Sequence, residues 1–346
     1  MPGASKPACT KLLDSGPHVS EIHKFLFDGL PVRGTLVRLT DAWREILRRR
    51  SANTSHGAYP AALQDLLGEM TAAAVLMRSG IKFDGSLVLQ IFGDGPVKLA
   101  VVEIESGFGL RATATLKGEL APNATLSQMV NVGNQGRCAI TLDPGNRQSG
   151  QQPYQGVVPL RRHAHEKLDK FSEVLEYYMR QSEQLETTLV LAANEQVACG
   201  LLIQRLPMQG AANLAGRASP MDEQDSGLSE DYRRIALLAS SLKRQELLTL
   251  DADTLLRRLF WDEKLLRFAP LEGSSGPHFS CSCSRDRVSK MICSLGAEEA
   301  NSILQERPDI EVSCDFCGAQ YRFAAVDEEQ IFRHPGQLPP ASAAVQ

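Results

Sequence analysis

The stretch KFDGSLVLQIFGDGPVKLAVVEIESG, from Lys82 to Gly107, decides the fold of the larger part of the chain. Two apolar runs flank the triplet Gly93-Asp94-Gly95. A short glycine-containing turn between two apolar runs is typical of a β-hairpin, whose strands are antiparallel. The stretch therefore predicts an antiparallel sheet in the first part of the chain.

Further elements are predicted on both sides of this hairpin. Alternation of apolar and polar residues, or a continuous apolar run, predicts strands over 32–39, 108–120, 137–145, 187–193 and 196–206. Apolar residues at helical spacing predict helices over 41–50, 61–80 and 165–185. Strands and helices that do not alternate regularly indicate an α+β domain, which we place at residues 20–206.

The next segment, residues 207–258, is predicted to be a linker with amphipathic helices. Its first part is small, polar and rich in turn-forming residues. One helix is predicted to begin at Ser229 as its N-cap, and a second near Asp251 or Asp253. Because these helices carry many charges, we expect them to dock on another surface rather than form a core of their own.

Composition and charge narrow the class of protein. The chain has 346 residues, 43% of them apolar, and a net charge of −4, which argues against nucleic-acid and anionic-membrane partners. No apolar run near the N-terminus resembles a secretory signal, and none elsewhere is long enough to span a bilayer. We therefore expect a cytoplasmic protein, with residues 1–19 and 335–346 as a disordered extension and tail.

No arrangement of residues predicts an enzyme. The glycines at Gly85 and in Gly93-Asp94-Gly95 lack the spacing and the following helix of a phosphate-binding loop. No Ser–His–Asp or Cys–His combination is evident, and His163 and His165 lie at a polar helix start. Cys138 and Cys199 lie within predicted strands, where we expect small core residues.

Four of the eight cysteines form two tight pairs near the C-terminal end. Cys281-Ser282-Cys283 and Cys314-Asp315-Phe316-Cys317 are separated by residues 284–313. In a reducing compartment, paired cysteines are more often metal ligands or redox-active groups than structural disulfides. Four thiolates in two close pairs suit tetrahedral Zn²⁺. The sequence therefore predicts one zinc ion per chain, held by Cys281, Cys283, Cys314 and Cys317.

The residues around each pair predict their local structure. Alternating residues on both sides of the second pair predict a short hairpin with the ligands at its tip, and Gly318 relaxes the turn. The first pair directly precedes a predicted helix that contains Cys293, and a second helix fills the spacer. We place this small zinc-binding domain at residues 259–334.

The chemistry of such a site leaves two roles open. Acidic residues outnumber basic ones between residues 281 and 334, which opposes a zinc ribbon that binds nucleic acid. Catalytic zinc is disfavoured because four protein ligands leave no position for water. A purely structural site remains possible. The alternative is a redox switch, because oxidation of the thiolates into strained local disulfides would eject the metal and unfold a domain that depends on it.

The same residues resemble a known family. CSCSRDRV (Cys281–Val288) and CDFCGAQYRF (Cys314–Phe323) are similar to the C-terminal redox switch of the heat shock protein 33 family, the redox-regulated 33 kDa chaperonins. The resemblance extends from about residue 22 to 334, with the motifs in the same order. These motifs are HKFLF, VRG, IKFDG, GDGP, YQGVV, YYMRQSEQL and KRQELLTL. The longer N-terminus, the loop around Pro144–Pro153 and the proline-rich tail depart from the family pattern.

The resemblance implies an ATP-independent chaperone, a holdase that binds unfolding proteins under oxidative stress. It implies that the reduced, zinc-bound form is inactive, and that oxidation forms the disulfides Cys281–Cys283 and Cys314–Cys317 and releases zinc. The switch domain and linker helices would then unfold, and the chain would bind client proteins and form a homodimer. The expected fold is an antiparallel-sheet domain with packed helices, a helical linker and a small redox-switch domain.

Two other functions remain as alternatives. The first is a thiol–disulfide oxidoreductase that uses Cys314 and Cys317. Such an enzyme needs its CxxC motif at a helix N-terminus in a βαβ unit, whereas this motif is predicted in a hairpin. The second is a zinc-dependent binding adaptor that does not respond to oxidants.

Overall fold

The structure is a computed structural model that describes residues 19–53, 57–145, 152–162, 166–207, 221–324 and 332, with only the backbone described for 221–229. The strands are β1 (Glu21–Phe27), β2 (Val32–Leu39), β3 (Gly85–Phe92), β4 (Val97–Ile104), β5 (Gly109–Leu116), β6 (Arg137–Pro144), β7 (Tyr154–Pro159), β8 (Thr187–Ala193), β9 (Ala198–Arg205), β10 (Leu265–Arg267), β11 (Leu271–Glu272), β12 (His278–Phe279), β13 (Asp309–Ser313) and β14 (Gln320–Ala324). The helices are α1 (Asp41–Ser51), α2 (Ala61–Gly80), α3 (Leu126–Val130), α4 (Phe171–Ser182), α5 (Met221–Ser240), α6 (Arg244–Thr249), α7 (Ala252–Leu259), α8 (Arg285–Leu295) and α9 (Ala297–Glu306).

The described strands form two large sheets and one small sheet. The first sheet has the order β10-β1-β2-β9-β8, with β11 also paired to β1, and the second has the order β12-β5-β4-β3-β6-β7. The hairpin predicted around Gly93-Asp94-Gly95 is confirmed, because β3 pairs with β4 in antiparallel register from Leu87↔Ile104 to Phe92↔Leu99. The parallel pairing of β12 with β5 is the exception among antiparallel pairs. The predicted α+β class with antiparallel sheets is confirmed.

Helix α2 fills the space between the two large sheets. It packs against β2, β8 and β9 of the first sheet and β3, β4 and β5 of the second. Every residue from Met70 to Arg78 is buried, as expected for a helix segment that packs between two sheets, whereas Gln64, Asp65 and Glu69 are partly exposed. Leu63, Leu67 and Met70 of this helix are fully buried in the main core.

The three linker helices, α5, α6 and α7, cover the opposite face of the first sheet. Their buried apolar residues form a second core with the sheet residues Phe25, Phe27 and Leu36. The prediction that these charged helices dock on another surface is therefore confirmed. The N-cap at Asp251 is also confirmed, since its side chain accepts a hydrogen bond of 2.8 Å from the backbone nitrogen of Thr254.

Two predicted helix starts are wrong. Helix α5 begins at Met221, so Ser229 lies within the helix and is not its N-cap. Ser229 is followed directly by Glu230 and Asp231, and a serine before acidic residues is typical of a helix start. Here helical backbone already precedes the serine. Helix α4 spans Phe171–Ser182 and is shorter than the predicted 165–185, because residues 166–170 lead into it without helical hydrogen bonds.

The domain boundaries stay a prediction. The pairing of the short strands β10, β11 and β12 shows how the chain passes from the linker to the cysteines. Within the range 259–334, β10 and β11 pair with β1, and β12 pairs with β5, so these strands extend the two large sheets. Residues 281–324, which we call the cysteine module, contain α8, α9 and the separate β13–β14 sheet. The predicted extension 1–19, apart from Val19, and the tail 335–346 lie outside the described residues. No helix in the described part of the chain is long and apolar enough to cross a membrane.

Glu69 on α2 makes the stability of the core dependent on pH. Burial raises its pKa to about 7, and Arg244, 3.8 Å away, offsets this only in part. A carboxyl group whose pKa is higher in the folded state lowers stability as pH rises from the unfolded pKa of 4.5 through about 7. We therefore expect Glu69→Gln to raise the Tm at pH 8, with a smaller effect at pH 5, in thermal unfolding experiments.

Glu45 on α1 provides a control of opposite sign. Hydrogen bonds from Arg48 and Arg49 lower its pKa to about 2, so the ionised form stabilises the fold at neutral pH. Glu45→Gln should lower the Tm at pH 8. An equal loss of stability for Glu69→Gln at both pH values would contradict the expected cost of ionising Glu69.

Candidate metal centre

The second cysteine pair lies at the tip of the hairpin formed by β13 and β14. The two strands pair from Asp309↔Ala324 to Ser313↔Gln320. In the turn, the Cys314 nitrogen donates to the Ala319 oxygen, and the Gly318 nitrogen donates to the Cys314 oxygen, each at 2.8 Å. Gly318 has a φ of +74°, which favours glycine. The predicted hairpin and the role of Gly318 are both confirmed.

The first pair lies between β12 and the start of α8. Ser284 caps this helix, and its Oγ accepts a hydrogen bond of 3.2 Å from the Arg287 nitrogen. The Arg287 guanidinium in turn donates to the Ser282 oxygen at 2.9 Å. Helix α8 therefore fixes the conformation of the Cys281–Cys283 segment, as expected from the position of the pair directly before a helix.

The structure brings the four predicted ligands together. All four Sγ atoms lie within 4.8 Å of one another, and all four thiols are free. The Sγ atoms of Cys281 and Cys314 are 3.7 Å apart, and those of Cys283 and Cys317 are 3.2 Å apart. A regular tetrahedron with Zn–S bonds of about 2.3 Å separates its sulfurs by about 3.8 Å. The donor set and its spacing therefore fit a tetrahedral metal ion with no ligand position open for catalysis.

Two polar side chains donate hydrogen bonds to these sulfurs. Arg111 of β5 lies 3.6 Å from the Cys281 Sγ through Nη1, and the Tyr321 hydroxyl lies 3.2 Å from the Cys283 Sγ. Donors of this kind stabilise negative charge on metal-bound thiolates. Sequence reasoning missed both contacts. Tyr321 was predicted only as a strand residue, and no motif links Arg111 to the cysteines.

The thiols of the cluster differ in acidity. Burial raises the pKa of Cys281, but hydrogen bonds from the Cys283 backbone and from Arg111 bring it to about 7. Burial, together with the charge of Cys281, raises the pKa of Cys314, and burial also raises that of Cys317. The raised pKa values of Cys314 and Cys317 oppose ionisation of both thiols in the absence of a cation. Because metal ligation requires thiolates, binding a divalent ion would release protons.

The other cysteines that the structure describes lie outside this cluster. Cys138 in β6 and Cys199 in β9 are fully buried, and burial raises the pKa of each to about 12, so both are poor nucleophiles. The expectation that they are core residues is confirmed. Cys293 lies in α8 and packs at the edge of the module core, outside the four-sulfur cluster. Cys9 lies outside the described residues.

The apolar core of the cysteine module is very small. Among the described residues, its buried apolar side chains are Ile292, Ala300, Ile310 and Phe323. Units of this size rarely fold on apolar burial alone and often depend on a metal or disulfides. Among the apolar cores of the described residues, the smallest is therefore the one next to the four-sulfur cluster.

Comparisons with known proteins agree with this arrangement. The family model described as Hsp33 protein matches residues 20–324. The 33 kDa chaperonin of Chromobacterium violaceum is 41% identical over 315 residues, covering 91% of this chain and 94% of the relative. The 33 kDa chaperonin of Methylobacillus flagellatus is 38% identical over 314 residues, covering 90% and 94%.

A solved structure shows the same fold. The crystal structure of a 33 kDa chaperonin from Thermotoga maritima matches with a TM-score of 0.67 and 20% identity, covering 91% of this chain and 98% of the other. At this identity the match supports the fold alone. The family model and the sequence relatives carry the assignment of family. The chain therefore belongs to the heat shock protein 33 family of chaperones.

Proposed function

We propose that the protein is a redox-regulated, ATP-independent holdase. In its reduced form, Cys281, Cys283, Cys314 and Cys317 hold one Zn²⁺, which supplies the folding energy that the small core of the cysteine module lacks. The observation that carries this proposal is the combination of a complete four-sulfur site with so few buried apolar residues around it. The reduced form is inactive because the module and the linker helices are folded.

Oxidation converts the site into two disulfides, Cys281–Cys283 and Cys314–Cys317. Each forms when one peroxide accepts two electrons from two thiols, so that one S–S bond forms, the O–O bond breaks and two waters leave. A disulfide sulfur is neutral and a weak metal ligand, so zinc dissociates. Without the metal, the cysteine module unfolds.

The linker helices cover the surface that we propose for client binding. On the first sheet, this covered face consists of Phe25, Phe27, Val32, Leu36, Ala192, Val197, Cys199, Leu201 and Ile203. Helices α5, α6 and α7, together with the residue that follows them, contribute Tyr232, Ile235, Ala239, Leu242, Leu247, Ala252, Leu255, Leu256, Leu259 and Phe260. Detachment of the linker would expose both apolar surfaces, and large exposed apolar patches are typical of sites that bind other proteins.

Short strands connect the linker to the cysteine module. The chain leaves α7, forms β10, β11 and β12 at the edges of the two large sheets, and then reaches Cys281. These strands have only two or three residues each, so few hydrogen bonds hold this connection. Loss of structure in the module can therefore spread to the linker without disrupting the central strands.

Arg38 of β2 holds the linker by polar contacts. Its Nη1 donates to the carbonyl oxygens of Leu247 and Leu250 at 2.9 and 2.8 Å. We expect Arg38→Met to weaken linker docking by about 1–3 kcal/mol, because these hydrogen bonds involve a charged donor. Limited proteolysis of the reduced protein should show faster cleavage within the linker. Arg44→Met is a suitable control, since the side-chain hydrogen bond of Arg44 within the described part of the chain is local, to the Thr40 oxygen. An unchanged cleavage rate for Arg38→Met would contradict the expectation.

The proposal is tested by treating the zinc-loaded protein with peroxide at mildly elevated temperature. Zinc release and suppression of client aggregation should rise together. A protein that keeps its zinc and holds no client would instead be the redox-insensitive adaptor. Turnover of a disulfide substrate by the zinc-loaded form would favour an oxidoreductase. Against that enzyme, the CxxC motif lies at a hairpin tip, and burial raises the pKa of Cys314 and Cys317.

The proposed partners follow from the same mechanism. They are unfolded or oxidatively damaged proteins in the cytoplasm and, after activation, a second copy of the chain. Nucleic acid and membranes are not among the proposed partners, and the net charge of −4 supports this.

A further inference from the structure

Arg111 is a core residue that contacts both cysteine-bearing segments. It lies on β5, and its side chain is 16% exposed. Its Nη1 is 3.6 Å from the Sγ of Cys281, in the first segment. Its guanidinium carbon lies 4.4 Å from the ring centroid of Phe316, which is between the two ligands of the second segment. One side chain of the second large sheet therefore contacts both cysteine-bearing segments of the module.

Glu103 fixes the orientation of this guanidinium. Its Oε2 accepts hydrogen bonds from Nε at 3.0 Å and from Nη2 at 2.6 Å. The two residues are also direct partners in the pairing of β4 with β5. A planar guanidinium held through two of its nitrogens by a carboxylate has little freedom to rotate. The third nitrogen, Nη1, is thereby directed at Cys281.

Other contacts join the core to the strand just before the cysteines. They include the pairing of β12 with β5 and the contact of Arg49 with the ring of Phe279, at 4.4 Å from its centroid. Neither contact involves a sulfur atom, so neither would respond directly to oxidation. Arg111 differs because one of its acceptors is itself a predicted metal ligand.

We propose that Arg111 is the positioning residue that docks the cysteine module on the core, and that it makes this docking depend on the thiolate of Cys281. The inference rests on the proposed function, since it describes how oxidation of the site reaches the core. In the reduced state, a charged donor meets a charged sulfur, and such hydrogen bonds are the strong ones.

Oxidation removes the acceptor charge. When peroxide takes two electrons from Cys281 and a second thiol, the thiolate becomes a neutral disulfide sulfur and the peroxide is reduced to water. Arg111 then keeps its bonds to Glu103 and loses its charged partner in the module. Loss of docking thus accompanies loss of metal and frees the β12 connection to the linker.

The test uses full-length, zinc-loaded protein with Arg111→Met and Arg111→Lys. Arg137→Met is the matched control, because Arg137 also lies on the second sheet and over an aromatic ring, that of Phe92, at 5.4 Å. The readouts are the rate of zinc transfer to a chelator and the rate of chymotrypsin cleavage at Phe279. In the reduced protein, Arg111→Met should raise both rates about tenfold, as expected for loss of a charged hydrogen bond. The two rates of Arg111→Lys should lie between those of the wild-type protein and those of Arg111→Met, because lysine keeps the positive charge but lacks the planar guanidinium group.

The decisive comparison is between redox states. After peroxide treatment, the wild-type protein and Arg111→Met should be cleaved at the same rate, because the bond to Cys281 is already lost. A difference that persists after oxidation, or rates in the reduced protein that match Arg137→Met, would overturn the inference. Client holding by oxidised wild-type protein is measured in the same samples. Its absence would refute the proposed function independently of Arg111.

Discussion

Removal of zinc by a chelator under reducing conditions is expected to unfold residues 281–324 and leave the two large sheets folded. The module buries only Ile292, Ala300, Ile310 and Phe323 among its described apolar residues, whereas the main core extends across both sheets and α2. Structural zinc contributes an apparent binding free energy of about 10–16 kcal/mol in zinc-finger peptides, far more than so small a core can replace. Amide hydrogen exchange should show loss of protection in α8, α9, β13 and β14, with β3 and β4 unchanged.

A pair of cysteine variants separates ligation from packing. Cys317→Ser removes one of the four clustered sulfurs and should abolish tight zinc binding, with the same loss of protection. Cys293→Ser changes a thiol of the same module that lies outside the cluster, and it should bind zinc as the unchanged protein does. Wild-type zinc affinity in Cys317→Ser would show that the assigned ligands are wrong.

A charge placed beneath the linker is expected to activate the protein without oxidation. Ile235 of α5 is completely buried against the first sheet, so Ile235→Glu would bury a charge with no partner. Detachment of the helix lets the carboxylate reach water and exposes the covered face. We therefore expect the reduced, zinc-loaded variant to suppress client aggregation about as well as the oxidised protein.

Leu237 offers a control on the same helix. Leu237 is 73% exposed, so Leu237→Glu leaves the contact between the linker helices and the first sheet unchanged. This variant should hold no client until it is oxidised. Leu256→Ala is a milder variant, which removes buried contacts of α7. The reduced variant should suppress client aggregation in part. Reduced Ile235→Glu that keeps its core Tm and holds no client would contradict the role proposed for the covered face.

The sequence predicts a turn or a helix start well where a few neighbouring residues determine it. The hairpin at Gly93-Asp94-Gly95, the turn at Gly318 and the helix after Cys283 each depend on residues within a few positions. The clustering of the four cysteines was predictable, because two close pairs of thiols are a usual donor pattern of structural zinc sites.

Long-range arrangement could not be predicted in this way. The division of the strands into two sheets around α2 depends on packing between distant segments. The short strands β10–β12 have no periodicity of their own and form only because β1 and β5 offer free edges. The contact of Arg111 with Cys281 likewise arises from the tertiary fold, since no sequence motif joins a strand arginine to a distant thiol.

Hydrogen exchange during activation tests the proposed switch most directly. Protection of the linker residues 221–258 and of the cysteine module would be followed after peroxide treatment, alongside zinc release and client holding in the same sample. We expect the linker and the module to lose protection as zinc leaves and client holding appears, while β3 and β4 stay protected. Client holding by oxidised protein whose linker remains fully protected would contradict the proposed mechanism.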